Sequence, residues 1–299
     1  MTTPLQTADA VYSSYPAIFD ALTIADVVDV RPSANVQKVV AYAGGLVTPD
    51  LIAEVNREPV VDLTAMDLET ILDAVDIMTG LACSSAVKIQ YQLRADGGTF
   101  SGAGNHMNLS TAKGFLHVVS IDARQDDQNA ARIALKFWAL KTSSNPPLIV
   151  NISQNLSGSP NVSALFKLGP VTFEGAALGG VQSVSIKTGL EYKPFRAGGA
   201  AYAGDGYIRK KAPTIEIETT NLKVVSAIGM GITGMSSGIS VGLAKMGYAL
   251  TDAEHVLCGL AAGSFEITDA GVSGEGDAMA KITATGAGAL TGTTGETLA

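Results

Sequence analysis

The chain has 299 residues, 46% hydrophobic and 16% charged, with Lys+Arg 20 against Asp+Glu 28 and a net charge of −8. Enough apolar residue is present to exclude a wholly disordered chain, and the 33 glycines follow no Gly-X-Y period, which excludes collagen. The acidic balance argues against a nucleic-acid binder that needs a basic stripe, and against adhesion to anionic membranes.

Residues 1–35 precede the first recognisable pattern and read as an N-terminal arm. No basic residue stands ahead of an apolar run in Met1 to Ser14, so no secretory signal is expected. No stretch approaches the roughly 20 apolar residues of a membrane-spanning helix. The two cysteines, Cys83 and Cys258, are too few for a disulfide framework or a zinc site and read as buried, reduced thiols of a cytosolic product.

An internal duplication organises the rest. Pro59 to Leu68 aligns with Pro213 to Leu222, and the register holds to Gly80 and Gly234. After a two-residue slip, Ser84 and Ser85 meet Ser236 and Ser237. His106 lies eight residues before Gly114, as His255 lies eight before Gly263, and Arg132-Ile133 meets Lys281-Ile282. The first unit spans 36–145 and the second 166–285, joined by a linker over 146–165 and followed by a flexible tail over 286–299.

Each unit reads as mainly β with one short helix, that is, two tandem β-sandwich or barrel-like domains. Val60 to Leu63 and Ile215 to Ile217 alternate as strands. A helix capped by Thr64, with Leu68, Ile71, Leu72, Val75 and Met78 on one face, ends at Gly80. Gly229 and Gly231 shorten its counterpart. Val87 to Arg94 alternates, and a hairpin joins Phe115–Ala123 to Ala131–Leu140. Phe115, Val119, Ile121, Ile133, Leu135 and Phe137 are expected on one face, with Leu116, Val118 and Trp138 on the other. A leading strand pair precedes each core: Val171–Glu174 with Val181–Lys187, and a shorter pair near Val36–Tyr42 and Leu51–Val55. Only the second unit is expected to carry a long insertion, Gly189 to Lys211.

Catalytic patterns are weak. Gly229, Gly231 and Gly234 match G-x-G-x-x-G in letters, but the motif follows a predicted helix where a dinucleotide site needs a buried strand. His106, His117 and His255 are distant in sequence and read as packing or loop residues. The acids Glu58, Asp62, Asp67, Glu69, Asp73 and Asp76 read as a solvated face. No catalytic, cofactor-binding or metal-binding residue is assigned, and no cofactor and no enzymatic activity are expected.

The stretch from Gly169 to Gly175, followed by Leu178 to Lys187, resembles the opening of a bacteriophage tail tube domain: a strand, a tight glycine turn, a second strand and a long loop. The resemblance implies a structural virion protein whose rings stack into a tube enclosing the channel for genome passage. A duplicated-domain subunit of this type implies a trimeric ring of six pseudo-equivalent domains. Its partners would be itself and other tail proteins, with transient passage of DNA and no membrane. It would be made in the host bacterial cytoplasm and located in the virion tail. A hub, neck or decoration protein of the virion is the nearer alternative, a soluble binding module or enzyme the more distant one. The insertion is the candidate assembly interface. Tyr192, Phe195, Tyr202 and Tyr207 are interface-type aromatics, and Arg209, Lys210 and Lys211 could pair with acids of a neighbouring subunit. A wall richer in acids than in bases is expected around the channel.

Overall fold

A computed structural model of the chain describes residues 11–41, 51–94, 104–125, 130–142, 146–160, 164–198, 200–223, 232–272 and 278–298. The described residues are mainly β-strand. In the first half lie β1 (Val11–Ser14), β2 (Ala17–Phe19), β3 (Leu22–Ile24), β4 (Val27–Ser33), β5 (Val36–Ala41), β6 (Leu51–Arg57), β7 (Val60–Ala65), helix α1 (Leu68–Ala74), β8 (Leu81–Cys83), β9 (Val87–Arg94), β10 (His106–Thr111), β11 (Gly114–Arg124), β12 (Arg132–Ala139) and β13 (Ile149–Gln154). The second half carries β14 (Phe166–Phe173), β15 (Ala176–Ala177), β16 (Val181–Lys187), β17 (Glu191–Phe195), β18 (Asp205–Lys210), β19 (Thr214–Thr219), β20 (Ile232–Gly234), β21 (Ile239–Lys245), β22 (His255–Leu260), β23 (Gly263–Val272), β24 (Ala278–Gly286) and β25 (Leu290–Glu296).

One sheet runs through both halves in the order β20-β23-β24-β19-β16-β11-β12-β7-β4, with β8 also on β11. Two smaller sheets, β13-β10-β9-β2-β3 with β1 beside β9, and β15-β14-β21-β22-β25, supply the other layer. Strands such as β12 and β19 alternate, as those of a half-solvated antiparallel sheet do. Leu63, Leu135, Leu116, Ile186, Ile215, Ile282 and Phe265 point into the core, where they join Phe19, Ile89, Phe166, Val241 and Val256.

The two halves repeat the same pairings. The run β4-β7-β12-β11 corresponds to β16-β19-β24-β23, and β13-β10-β9-β2-β3 to β25-β22-β21-β14-β15. The finest match is a carboxylate clasp. Asp20 and Glu174 each sit in a tight turn with positive φ (54° and 51°). Asp20 accepts from the Ser84 and Ser85 amides, both at 2.9 Å, and from the Ser85 hydroxyl. Glu174 accepts from the Ser236 amide at 2.9 Å, the Ser237 amide at 3.2 Å and the Ser236 hydroxyl. The histidines repeat as well: His106 Nδ1 accepts from the Leu93 amide (3.1 Å), and His255 Nδ1 from the Lys245 amide (3.0 Å).

Several expectations need correction. Residues 11–33, read as an arm, form four strands whose Phe19 and Ile24 are fully buried, because the first small sheet needs them as its edge. They, and not β5 and β6, are the counterpart of the leading pair β14 to β16. β5 and β6 form a separate hairpin, as β17 and β18 do, so the first half also carries an insertion. The stretch 286–298, read as a flexible tail, contains β25, which pairs with β22 and buries Leu290. Residues 149–154 of the expected linker are strand β13, paired with β10.

Thr64 lies inside β7, and α1 covers only Leu68–Ala74 with Asp67 at its N-cap. The helix stops early because Asp76 Oδ1 takes the Met78 and Thr79 amides, offering the chain a competing turn. The second helix was expected at positions largely outside the described residues. A bulge between Val118 and Ser120 resets the facing of β11. Leu116, Val118 and Ile121 therefore share the core side, while Phe115 and Trp138 lie opposite one another on the other face. Pairing also shows Leu135, not Ile133, in the place of Ile282: Leu135 opposes Leu63 as Ile282 opposes Ile217.

The clasps carry a pH signature. Burial acts to raise both carboxyls, but the serine hydrogen bonds outweigh it and hold Asp20 and Glu174 below their ordinary values. Their stabilisation is present above the ordinary carboxylate range and lost as pH falls through the lowered values. Because both clasps are solvent-screened, Asp20→Asn or Glu174→Gln should each cost no more than about 1 kcal/mol in urea unfolding at about pH 7, and the difference from wild type should shrink at about pH 3.

Candidate assembly surface

The second insertion leaves the sheet through Gly189, whose φ of 57° suits glycine and where a Cβ would overlap the Ala212 carbonyl. Alternation then splits the hairpin β17–β18 into two faces. Tyr192 is on the inner one, only 7% exposed, with its ring 4.4 Å from Phe115 and nearly parallel to it, and 5.8 Å from Trp138. A side chain at Gly206 would collide with the Tyr192 ring, so glycine permits this packing. Lys193, Phe195, Asp205 and Tyr207 lie on the outer face, where Phe195 and Tyr207 are 59% and 54% exposed.

The hairpin is thus docked on the first half of its own chain. The Tyr202 hydroxyl accepts from Arg57 Nη1 at 3.1 Å, and the Arg57 amide donates to the Ala201 carbonyl. Arg196 pairs with Glu58, both largely buried, and Lys113 Nζ donates to the Gly204 carbonyl at 2.7 Å. Of the basic cluster, Arg209 pairs with Glu191 across its own hairpin, and Lys210 and Lys211 are exposed, with the charge of Lys211 felt by Asp76. Four of the seven candidate residues, Tyr192, Tyr202, Arg209 and Lys211, therefore make interactions within the chain. Phe195 and Tyr207 face outward, and Lys210 is exposed.

Two further contacts complete the seam between the halves. β11 and β16 pair antiparallel, with Asp122 opposite Ser185 and a hydrogen bond between them of 2.5 Å. α1 packs on β25, where Thr294 bonds Asp73, and Lys245 bridges Glu69 (3.0 Å) and Glu254 (2.7 Å). Phe115, Trp138, Arg57 and Glu58 were missed as seam residues. Their signal was present in the first two: large aromatics on the otherwise polar face of β11 and β12.

That polar face is long and lined with small side chains such as Thr64, Ser120, Ser183, Ser185, Thr283 and Thr285. Its acids Asp29, Asp62, Asp122, Glu216, Glu218 and Glu266 are interspersed with Arg31, Arg124, Arg132, Lys136, Lys187 and Lys281. Glu216 binds both Lys187 (2.5 Å) and Lys281 (3.3 Å), which, led by the Lys187 hydrogen bond, lower its pKa. Of the bases on this face, Arg31, Lys136, Lys187 and Lys281 are paired with carboxylates.

Among the described residues no group of three or more His, Cys, Asp or Glu could hold a metal ion. His255 Nε2 donates to the Ala249 carbonyl (2.7 Å), so both its nitrogens are used in packing, and burial lowers the pKa of His117. Gly229 and Gly231 lie outside the described residues, and Gly234 ends strand β20. No helix among the described residues is long and apolar enough to cross a membrane. No protein-family model and no curated protein matches the chain.

Burial and the nearby Asp205 push Tyr192 from 10.0 up to about 12. A raised phenol pKa means that docking is intact below about 10 and weakens as pH rises toward about 12, because only the unfolded form ionises in that interval. Tyr192→Ala should cost about 3 kcal/mol, and it should change the fluorescence of the single tryptophan, Trp138. Cys83 and Cys258 are buried and free, each pushed by burial up to about 12. A thiol reagent at about pH 8 should therefore label neither until denaturant is added.

Proposed function

We infer that the chain is the structural subunit of a bacteriophage tail tube, in which three chains close a ring of six quasi-equivalent units and the rings stack around a channel for the genome. The observation that carries this reading is the continuous sheet: two equivalent four-strand runs joined edge to edge, with β4 at one end and β23, flanked over Ser264–Glu266 by the short β20, at the other. A chain that joins its own halves head to tail already contains the contact a cyclic assembly repeats. Closure removes the strand edges that an open sheet leaves exposed. The serine- and threonine-rich face suits a channel wall, because bases already held by carboxylates, as Lys136, Lys187 and Lys281 are, give passing phosphates little purchase. The subunit acts as scaffold and conduit, and no catalytic step is required of it.

The outer face of β17–β18 supplies the contact between rings, with Phe195 and Tyr207 as apolar anchors in a neighbouring ring. Electron micrographs of the purified protein test the reading: class averages should show rings or tubes with threefold symmetry and two similar lobes per chain. A compact monomer at all concentrations, or a ring of six chains, refutes it. Phe195→Ala with Tyr207→Ala should preserve the circular dichroism spectrum and the rings while abolishing long tubes.

A further inference from the structure

The seam inside the chain predicts the seam between chains. Its three parts each have a twin that is not covered in the same way. The first part is the pairing of Ser183–Lys187 in β16 with Ser120–Arg124 in β11. The twin of β16 is β4, which pairs with β7 on one side and ends the sheet on the other. The twin of β11 is β23. β20 covers Ser264–Glu266 of β23, much as β8 covers Gly114–Leu116 of β11, and among the described residues no strand flanks the later residues on that side.

The second part is the contact of β25 with α1. Cβ at Gly292 would lie 3.4 Å from Ile77 Cδ1 and 3.7 Å from Leu72 Cδ2, and Thr294 bonds Asp73. Val150 and Ile152 hold the corresponding positions in β13: Val150 opposes Leu109 as Gly292 opposes Cys258. They are apolar, yet 60% and 63% exposed. Two adjacent exposed aliphatics on an edge strand, at positions whose twins are packed against another unit, mark an interface. The third part, the hairpin β17–β18 docked on the first half, has its twin in β5–β6.

We propose that β4 of one chain pairs antiparallel with β23 of a second copy of the same chain, Arg31 opposite Gly271 and Pro32 opposite Ala270, and that the same contact buries Val150 and Ile152. The register is copied from the internal seam, where Ser185 faces Asp122 and Ile186 faces Ile121. The contact is heterologous: one patch in the first half meets a different patch in the second, so it propagates and closes only as a ring. Pro32 adds a difference in strength. The Thr188 amide donates to Val119 and the Gln125 amide to Gln182, which by alternation directs the Ile186 amide at β11. Proline in the equivalent place has no such donor, so the seam between chains forms one ladder bond fewer and the free edge is blunted before assembly.

The proposal rests on the tube reading, and one experiment separates the two. Arg31→Cys with Gly271→Cys, in the full chain under mild oxidation, should give interchain disulfides that end at a covalent trimer. Arg31→Cys with Asp269→Cys, two residues out of register, should give at least roughly tenfold less. Micrographs of the wild-type protein are read alongside. Rings without the register-specific disulfide overturn the proposed pairing and leave the tube intact. The disulfide without rings sustains the pairing and refutes the tube. Neither rings nor disulfide refutes both. Val150→Asp, on an exposed site, provides a second reading if the cysteine variants misfold: it should keep the monomer's melting transition and raise the concentration needed for assembly by roughly tenfold or more. Assembly at the wild-type concentration overturns the proposal.

Discussion

The structure depends on the satisfaction of a strand edge. From Ser120 onward, β11 extends past β8, and its free amides and carbonyls must find partners. β16 supplies them, and by doing so fuses two four-strand runs into one sheet. The core follows from that union. Ile121 and Ala123 meet Ile186 and Val184 on the buried side, so the apolar surfaces of the two halves are continuous. The opposite side becomes one long polar face whose charges reach across strand boundaries, as Asp122 does to Ser185.

The same union explains why the second insertion is so aromatic. An outer face with Phe115 and Trp138 on neighbouring strands would expose a large apolar patch. Tyr192 covers it, and the half-buried Glu58–Arg196 pair and the Arg57–Tyr202 bond fix the hairpin's direction. At the corresponding positions of the other unit stand Ser264 and Thr285 where the first has Phe115 and Trp138, and Lys38 where the hairpin has Tyr192. A covalent pair of units allows this divergence. The seam between the halves is therefore aromatic at this point, while the twin positions carry polar side chains.

Two features stayed alike while the seams diverged. The carboxylate clasps at Asp20 and Glu174 fasten a turn in one sheet to the segment that leads from the large sheet into the other. The paired histidines accept the amides of Leu93 and Lys245 near the ends of β9 and β21. Both are local solutions to buried or strained backbone, which each unit needs whatever it contacts.

Much of this was legible in the residues. Period-two alternation marked β7, β12, β16 and β19, and Ser84-Ser85 against Ser236-Ser237 marked the repeat through the residues that form the clasps. Helix length was not legible, because the apolar spacing from Leu68 to Met78 continues past Asp76, whose carboxylate ends the helix by taking two amides. Nor was the facing of Phe115 and Trp138, since one extra residue at Val119 reverses a strand's inside and outside without changing its composition. The sequence by itself determined a β-rich, duplicated chain, because alternation and repetition are properties of neighbouring residues. Only the tertiary structure decided which edges meet and that Tyr192 turns inward while Phe195 and Tyr207 face out. It also decided that, among the described residues, β4, β13 and the later part of β23 lie at sheet edges, because edge pairing joins residues tens of positions apart whose match no local pattern records.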